Sequence, residues 1–299
     1  MRSFGLSIPE SLDLVYETPI LYPEMKQNSP SANQVAAALP LGAIVDSGWL
    51  GSRGLSRKQQ SNLEQANMLR RLAPGIYQRP IMDFLQDETD PYTLLLSLQN
   101  LHGAAAHIGG SGALSIQGLS HYLPLGGKMP ITVYIDQPSP WMKRVPVAPP
   151  IKWQKPSLIN GDLGIVDLDP LQYRLFTPNP AWRLKTSGPE RAIMELIEDL
   201  PNGTSFHLVD TTFQSLSNLR PRLVSSLLKS CKSVKAKRLF MIFAERHQHS
   251  WLKHIKLDEV DFGSGKRSLV AGGRLEPKYQ LTLPEEYVRN EEDYDGPEI

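Results

Sequence analysis

Between Asp46 and Pro80 the chain carries four local signals in a fixed order, and together they leave few ways to fold. Asp46 precedes a stretch with Trp49 and Leu50 and is placed to cap a helix ending at Gly54, a residue able to take positive φ. Ser56 stands three residues before Gln59, the capping-box spacing in which a hydroxyl and a carboxamide satisfy orphan N–H groups at a helix start. This second helix is expected over 57–67. LRRLAPGIYQRP then reads as two short strands joined through Ala73-Pro74-Gly75, where Pro presets φ and Gly accepts the positive φ of a type II turn. Helix, glycine turn, helix and hairpin in this order spell a winged helix-turn-helix. Just upstream, SANQVAAAL begins at a Ser cap and stops at Leu39-Pro40-Leu41-Gly42, and Ile44-Val45 is a short strand candidate.

The same stretch is unevenly charged. Residues 54 to 80 hold Arg57, Lys58, Arg70, Arg71 and Arg79 against Glu64 as the sole acid. In a helix-turn-helix the start of the second helix meets base edges in the major groove, a window occupied by Ser56, Arg57, Lys58, Gln59, Gln60, Ser61 and Asn62. Arginine pairs with guanine through two hydrogen bonds, and Gln or Asn does the same for adenine. Arg70, Arg71 and Arg79 on the wing are suited to phosphates, contacts that position without reading sequence. Against this, Gln59 is occupied if it serves the cap, Lys58 and Asn62 are ordinary solvent-facing side chains, and Glu64 repels phosphate.

With 299 residues, 40% of them hydrophobic, the chain has material for about two domains. Its 32 basic and 31 acidic side chains nearly cancel, so net charge argues for no partner and only the placement of charge is informative. A single cysteine, Cys231, excludes an internal disulfide and a four-cysteine zinc site. Together with the lack of a long apolar run or a secretory leader pattern, it points to the cytoplasm, without membrane association. We divide the chain into a disordered extension over 1–29, in which Met25 is an alternative start, a winged helix-turn-helix over 30–90, a larger domain over 91–284 and a fraying acidic tail over 285–299.

The larger domain reads as mixed, giving an α+β protein overall. Pro91 after Asp90 opens a helix over 91–101, HIGGSGALSIQG is a turn entering another, and ITVYID (131–136) is the clearest strand, with further candidates near 163–168 and 172–176. From Ser187 the pattern turns helical: GPERAIMELIEDL, then 204–216, 221–230 and 233–247. Residues 219 to 256 concentrate Arg220, Arg222, Lys229, Lys232, Lys235, Lys237, Arg238, Arg246, Lys253 and Lys256 against Glu245 alone. Lys232, Lys235 and Lys237 crowd a helix start, where the macrodipole disfavours cations by a few tenths of a kcal/mol each. An anionic partner, such as RNA, accounts for that placement; so does a solvated face neutralised by the acidic tail.

Patterns of enzyme chemistry fail one by one. GSGKR (263–267) lacks the first glycine and the Ser or Thr of a phosphate loop, and GGSGALS has Ser115 where a dinucleotide site needs Gly or Ala. Ser226 and Lys229 are spaced as S-x-x-K without the partner motifs of that chemistry. His247, His249 and His254 lack a metalloprotease spacing, Cys231 reads as packing, and Trp49, Trp153, Trp182 and Trp251 read mostly as core anchors. No catalytic residue, metal ligand or cofactor is assigned. A nucleic-acid-processing enzyme with an unrecognised site in the second domain is the alternative reading, and direct docking of the basic face on an acidic protein is another.

In order along the chain, LPLGAIVDSGWLGSRGLS, APGIYQRP, HIGGSGALSIQGLSHYLPLG, TSGPERAIMELI, the basic stretch 219–255 and DFGSGKRSLVAGGRLEPKYQLTLP resemble AbiEi-type antitoxins of bacterial abortive-infection, type IV toxin–antitoxin systems, over residues 30 to 284. Ser111 departs from the family pattern, where a longer polar or basic side chain is expected. The resemblance implies an N-terminal winged helix-turn-helix that binds operator DNA and represses its own operon. It also implies a C-terminal domain that opposes a nucleotidyltransferase-like toxin without forming a stable complex with it. On that basis Arg220, Arg222, Lys229, Lys232, Lys235, Lys237 and Arg238 form the candidate antitoxin face.

Overall fold

Ser31 and Gln34 close a capping box that starts α1 (Ala32–Ala38), the first element of a computed structural model that describes residues 30–81, 88–120 and 130–288. The extension expected over 1–29 and the tail beyond residue 288 lie outside the described residues. β1 (Ile44–Asp46), α2 (Ser47–Ser52), α3 (Arg57–Gln65), β2 (Arg70–Ala73) and β3 (Ile76–Gln78) follow, and the three strands form an antiparallel sheet in the order β1-β3-β2. This is a winged helix-turn-helix. Leu50, Leu55, Leu63, Leu69 and Tyr77 fill its core together with Val35 and Leu39 of the first helical segment.

The larger unit begins at α4 (Pro91–Leu101), with Asp90 accepting from Thr93 N at its start. Next come β4 (His107–Ile108), α5 (Gly110–Ile116), β5 (Ile131–Tyr134), β6 (Ile151–Gln154), β7 (Ile165–Leu168), β8 (Leu184–Ser187) and α6 (Pro189–Glu198). Their strands make one mixed sheet in the order β6-β5-β4-β8-β7, in which β5–β6 and β4–β8 are parallel and the other two pairings antiparallel. α7 (Phe206–Ser215), α8 (Pro221–Ser230) and α9 (Val234–His247) surround α6, and β9 (Arg267–Ser268), β10 (Arg274–Glu276) and β11 (Leu281–Leu283) form a small terminal sheet in the order β10-β11-β9. Every residue of α6 from Glu190 to Ile197 is buried, so this stretch of the helix has no solvent face.

Two local expectations are corrected and one strand is not foreseen. Residues 172–176 are not a strand: Asp169 accepts from Leu171 N and Pro170 occupies a first-turn position, which starts a 3-10 turn over Pro170–Tyr173, and Arg174 leaves it at φ +56°. β8 lies in a stretch with no strand signal of its own; it is four residues long and is held by β4 on one side and β7 on the other. The acidic tail does not fray from its first residue, because a 3-10 turn over Glu285–Tyr287 sets Tyr287 against Phe206 and Phe243, with ring centroids 5.5 and 5.9 Å away.

The two cores touch. Ile44 and Ile76 of the winged sheet belong to the larger buried core, which also includes Leu94 and Leu98, and α4 packs against β1. Ser97 Oγ accepts from Ile44 N at 3.0 Å, and Trp49 Nε1 donates to Leu101 O at 3.1 Å.

Candidate nucleic-acid interface

The elbow between α2 and α3 is built from backbone satisfaction. Asp46 accepts from the N–H groups of Gly48 and Trp49, Gly54 turns at φ +83°, and Ser56 and Gln59 exchange the two bonds of the capping box at 3.3 and 2.8 Å. Inside the elbow lies Gln60, only 2% exposed, whose Nε2 donates to Leu55 O at 3.0 Å and Ser47 O at 3.4 Å. Its sequence position puts Gln60 among the expected base readers, and the fold corrects this. It sits one turn from buried Leu63 on the inner face of α3, where its amide closes the elbow that an apolar side chain would leave with unsatisfied carbonyls.

What remains outward on α3 is a short polar row: Ser56, Arg57, Lys58, Gln59, Ser61 and Asn62 are all exposed. Gln59 is partly committed, because its Oε1 already accepts from Ser56 N, and a two-bond match to adenine needs that oxygen as well as the amide nitrogen. Asn62 therefore presents the less encumbered amide.

The wing is stitched into the same body. Arg70 donates to Gln78 Oε1 at 2.8 Å, Gln78 passes a bond on to Gly42 O at 3.1 Å, and Arg79 donates to Met68 O at 3.3 Å. Arg71 is the exposed wing arginine, standing 3.8 Å from Glu64. Glu64 thus faces a wing cation across from α3. Sequence reasoning passes over Arg53, whose guanidinium lies 3.3 Å above the Trp49 ring at the end of α2.

The basic stretch of α8 and α9 is largely consumed by the fold. Lys237 and Arg238, expected on an exposed face, are 5% and 3% exposed. Arg238 donates to Phe262 O and Gly265 O, both at 2.8 Å, and so holds the 262–265 loop. Lys235 reaches back to the carbonyls of Glu198 and Leu200, where α6 leaves acceptors without partners. A lysine at the start of α9 that neutralises the end of α6 needs no outside anion. Arg220 is clamped on Glu190 through two guanidinium bonds of 2.9 Å, and Lys229 pairs with Glu259. Arg222 and Lys232 remain exposed, Arg222 beside an open groove of about 1120 Å³ whose walls include Lys229, His254 and Lys256. His247 and His249 are absorbed too, the first bonded to Asp210 at 2.7 Å and the second to Phe213 O at 2.7 Å.

Sequence reasoning does not find a buried polar cluster in the larger unit. Glu195 Oε1 takes Arg191 Nε at 2.8 Å and His107 Nε2 at 3.3 Å, while Oε2 takes Ser187 Oγ at 2.8 Å and Gly110 N at 3.1 Å. Burial opposes the Glu195 charge, but the hydrogen bond and charge of His107 and those of Arg191 outweigh it, and the carboxyl is held below its ordinary range. Gly109 is required here, since a Cβ would fall 2.1 Å from Glu195 Oε2. HIGG and TSGPERAIMEL therefore meet at one carboxylate. The signal in the sequence is the pair Arg191 and Glu195, four apart in a helix that is buried on every side from Glu190 to Ile197. Both Glu195 oxygens are doubly bonded and the group is 2% exposed, so the cluster serves as an internal brace.

Two family models match the chain, the first running past the winged helix-turn-helix to include α4, β4 and α5. Residues 28–125 match a family described as transcriptional regulator, AbiEi antitoxin N-terminal domain. Residues 132–284 match one described as transcriptional regulator, AbiEi antitoxin, type IV TA system. Among solved structures, the RV2827C protein from Mycobacterium tuberculosis is similar over 84% of this chain and 88% of its own, with a TM-score of 0.53 and 15% sequence identity, a likeness of fold alone. No curated protein matches the chain significantly.

Proposed function

Because this chain belongs to the AbiEi family of type IV toxin–antitoxin transcriptional regulators, we propose that it binds operator DNA through α3, represses its own operon and opposes a nucleotidyltransferase-like toxin. One observation carries the DNA reading: the outward row Arg57, Lys58, Ser61 and Asn62 on a doubly capped helix, with Arg71 on the adjacent wing and the inner face locked by Gln60. Arg57 and Asn62 are the base-reading candidates. Lys58, Arg70, Arg71 and Arg79 supply positive potential toward the backbone, Arg70 and Arg79 also holding the wing in shape.

The test compares operator and random duplex. Arg57→Ala and Asn62→Ala should each weaken operator binding by about 1–3 kcal/mol while affecting random DNA less, the signature of lost base readout. Equal loss on both duplexes would refute base reading by α3.

For antitoxin activity the corrected face is Arg222 and Lys232, with Lys229 able to join them by releasing Glu259. Its partner is anionic, an RNA or comparable polyanion, and no stable complex with the toxin and no cofactor is required. Arg222→Glu with Lys232→Glu should abolish rescue of cells expressing the toxin while repression continues. Rescue that survives this reversal would remove the face from consideration.

A further inference from the structure

Immediately beside the wing tip, but belonging to the larger unit, is a 3-10 turn over Met142–Arg144. Met142 and Val145 on either side of its cations are buried, which pins the turn and leaves Lys143 and Arg144 exposed. Arg144 Nη1 donates to Pro74 O at 3.2 Å, the carbonyl at the hairpin turn between β2 and β3.

The turn cannot drift from the DNA-reading elements. Trp141 packs on His102 with centroids 5.0 Å apart, His102 lies 6.5 Å from Trp49 of α2, and Thr89, just before α4, bonds on both sides to Pro146 O and Ala148 N. The two cations here differ from three lysines at or beside the sheet strands. Lys152, Lys155 and Lys185 pair with Asp199, Asp136 and Asp167 at 3.0, 3.2 and 3.0 Å, whereas Lys143 and Arg144 form no ion pair among the described residues.

Resting on the DNA-binding reading above, we propose that Lys143 and Arg144 are a second phosphate grip, by which the larger unit holds the duplex backbone next to the wing. A guanidinium carries five donors and Arg144 gives one to Pro74, leaving the rest for a phosphate. Two such cations on a rigid turn suit backbone oxygens, and they carry no sequence information. The winged helix-turn-helix then reads the operator while both units share the electrostatic work.

Binding of the full-length chain to operator and to random duplex, followed by fluorescence anisotropy over a salt series, tests this. Each phosphate contact contributes about 0.9 to the log–log salt slope. Lys143→Ala, which removes no hydrogen bond among the described residues, should lower the slope by about 0.9, and Lys143→Ala with Arg144→Ala by about 1.8, equally on both duplexes. Between about 50 and 200 mM salt the wild type then loses roughly twelvefold more affinity than the double variant. Lys155→Ala with Lys185→Ala should leave the slope unchanged. An unaltered slope in the Lys143 and Arg144 variants overturns the grip, even if affinity falls, since that pattern marks a wing-supporting role alone. Failure of the wild type to bind either duplex overturns the DNA reading itself.

Discussion

Single side chains on this molecule are sorted by whether they are needed inside before they are available outside. Gln59 and Gln60 are adjacent and chemically identical, yet one caps a helix in water and the other is sealed in the elbow. Gln60→Ala should cost about 1–3 kcal/mol in urea unfolding, because it strands the buried Leu55 carbonyl, while leaving the preference for operator over random duplex unchanged. Glu195 is the more sensitive position. Glu195→Gln keeps the shape but leaves the Arg191 charge buried without its carboxylate, and a loss of about 3–5 kcal/mol is expected. The native carboxyl titrates below its unfolded value of 4.5. Its contribution is therefore complete above that pH and disappears as pH falls through the lower native value. Stability curves of wild type and variant should be well separated at neutral pH and converge in acid; parallel curves would contradict the assignment.

Elements form here from signals that lie within one or two turns of the chain. The Ser31 cap, the capping box at Ser56, the Asp46 and Asp90 caps and the Pro74-Gly75 turn are all present at their expected places, because each is a contact between near neighbours in sequence. Gly54 is the hinge of the whole motif. Its φ is +83° and no atom lies within 4 Å of the point where a methyl group would stand, so Gly54→Ala meets only the left-handed backbone penalty of about 1–2 kcal/mol. Thermal unfolding should register that loss together with weaker operator binding. Strands are harder to foresee. β4, β8 and β9 are two to four residues long and acquire their conformation from pairing partners, so no alternation of side chains announces them.

The two cores of the molecule meet at α4, and this bears on any attempt to separate its activities. Ile44 and Ile76 share a buried core with Leu94 and Leu98, and α4 packs against β1, so a fragment beginning at residue 91 uncovers part of that core. Such a fragment should bind a hydrophobic dye and unfold with a lower urea midpoint than the full chain. The Arg57→Ala, Asn62→Ala variant should match the wild type in both respects and is the cleaner way to remove operator binding while asking about toxin rescue. Among the described residues no helix is long and apolar enough to cross a membrane.

From its amino acids alone the chain determined the winged helix-turn-helix and the family motifs in their order, since helix caps, glycine turns and helical periodicity are written over spans of a few residues. Only the tertiary structure decided which cations stay free. Lys235 is bound to a carbonyl 35 residues away and Arg238 to one 24 residues away, and Lys143 and Arg144 come beside a hairpin turn 70 residues upstream. A charge is visible in sequence, but the partner that neutralises it is brought by the fold.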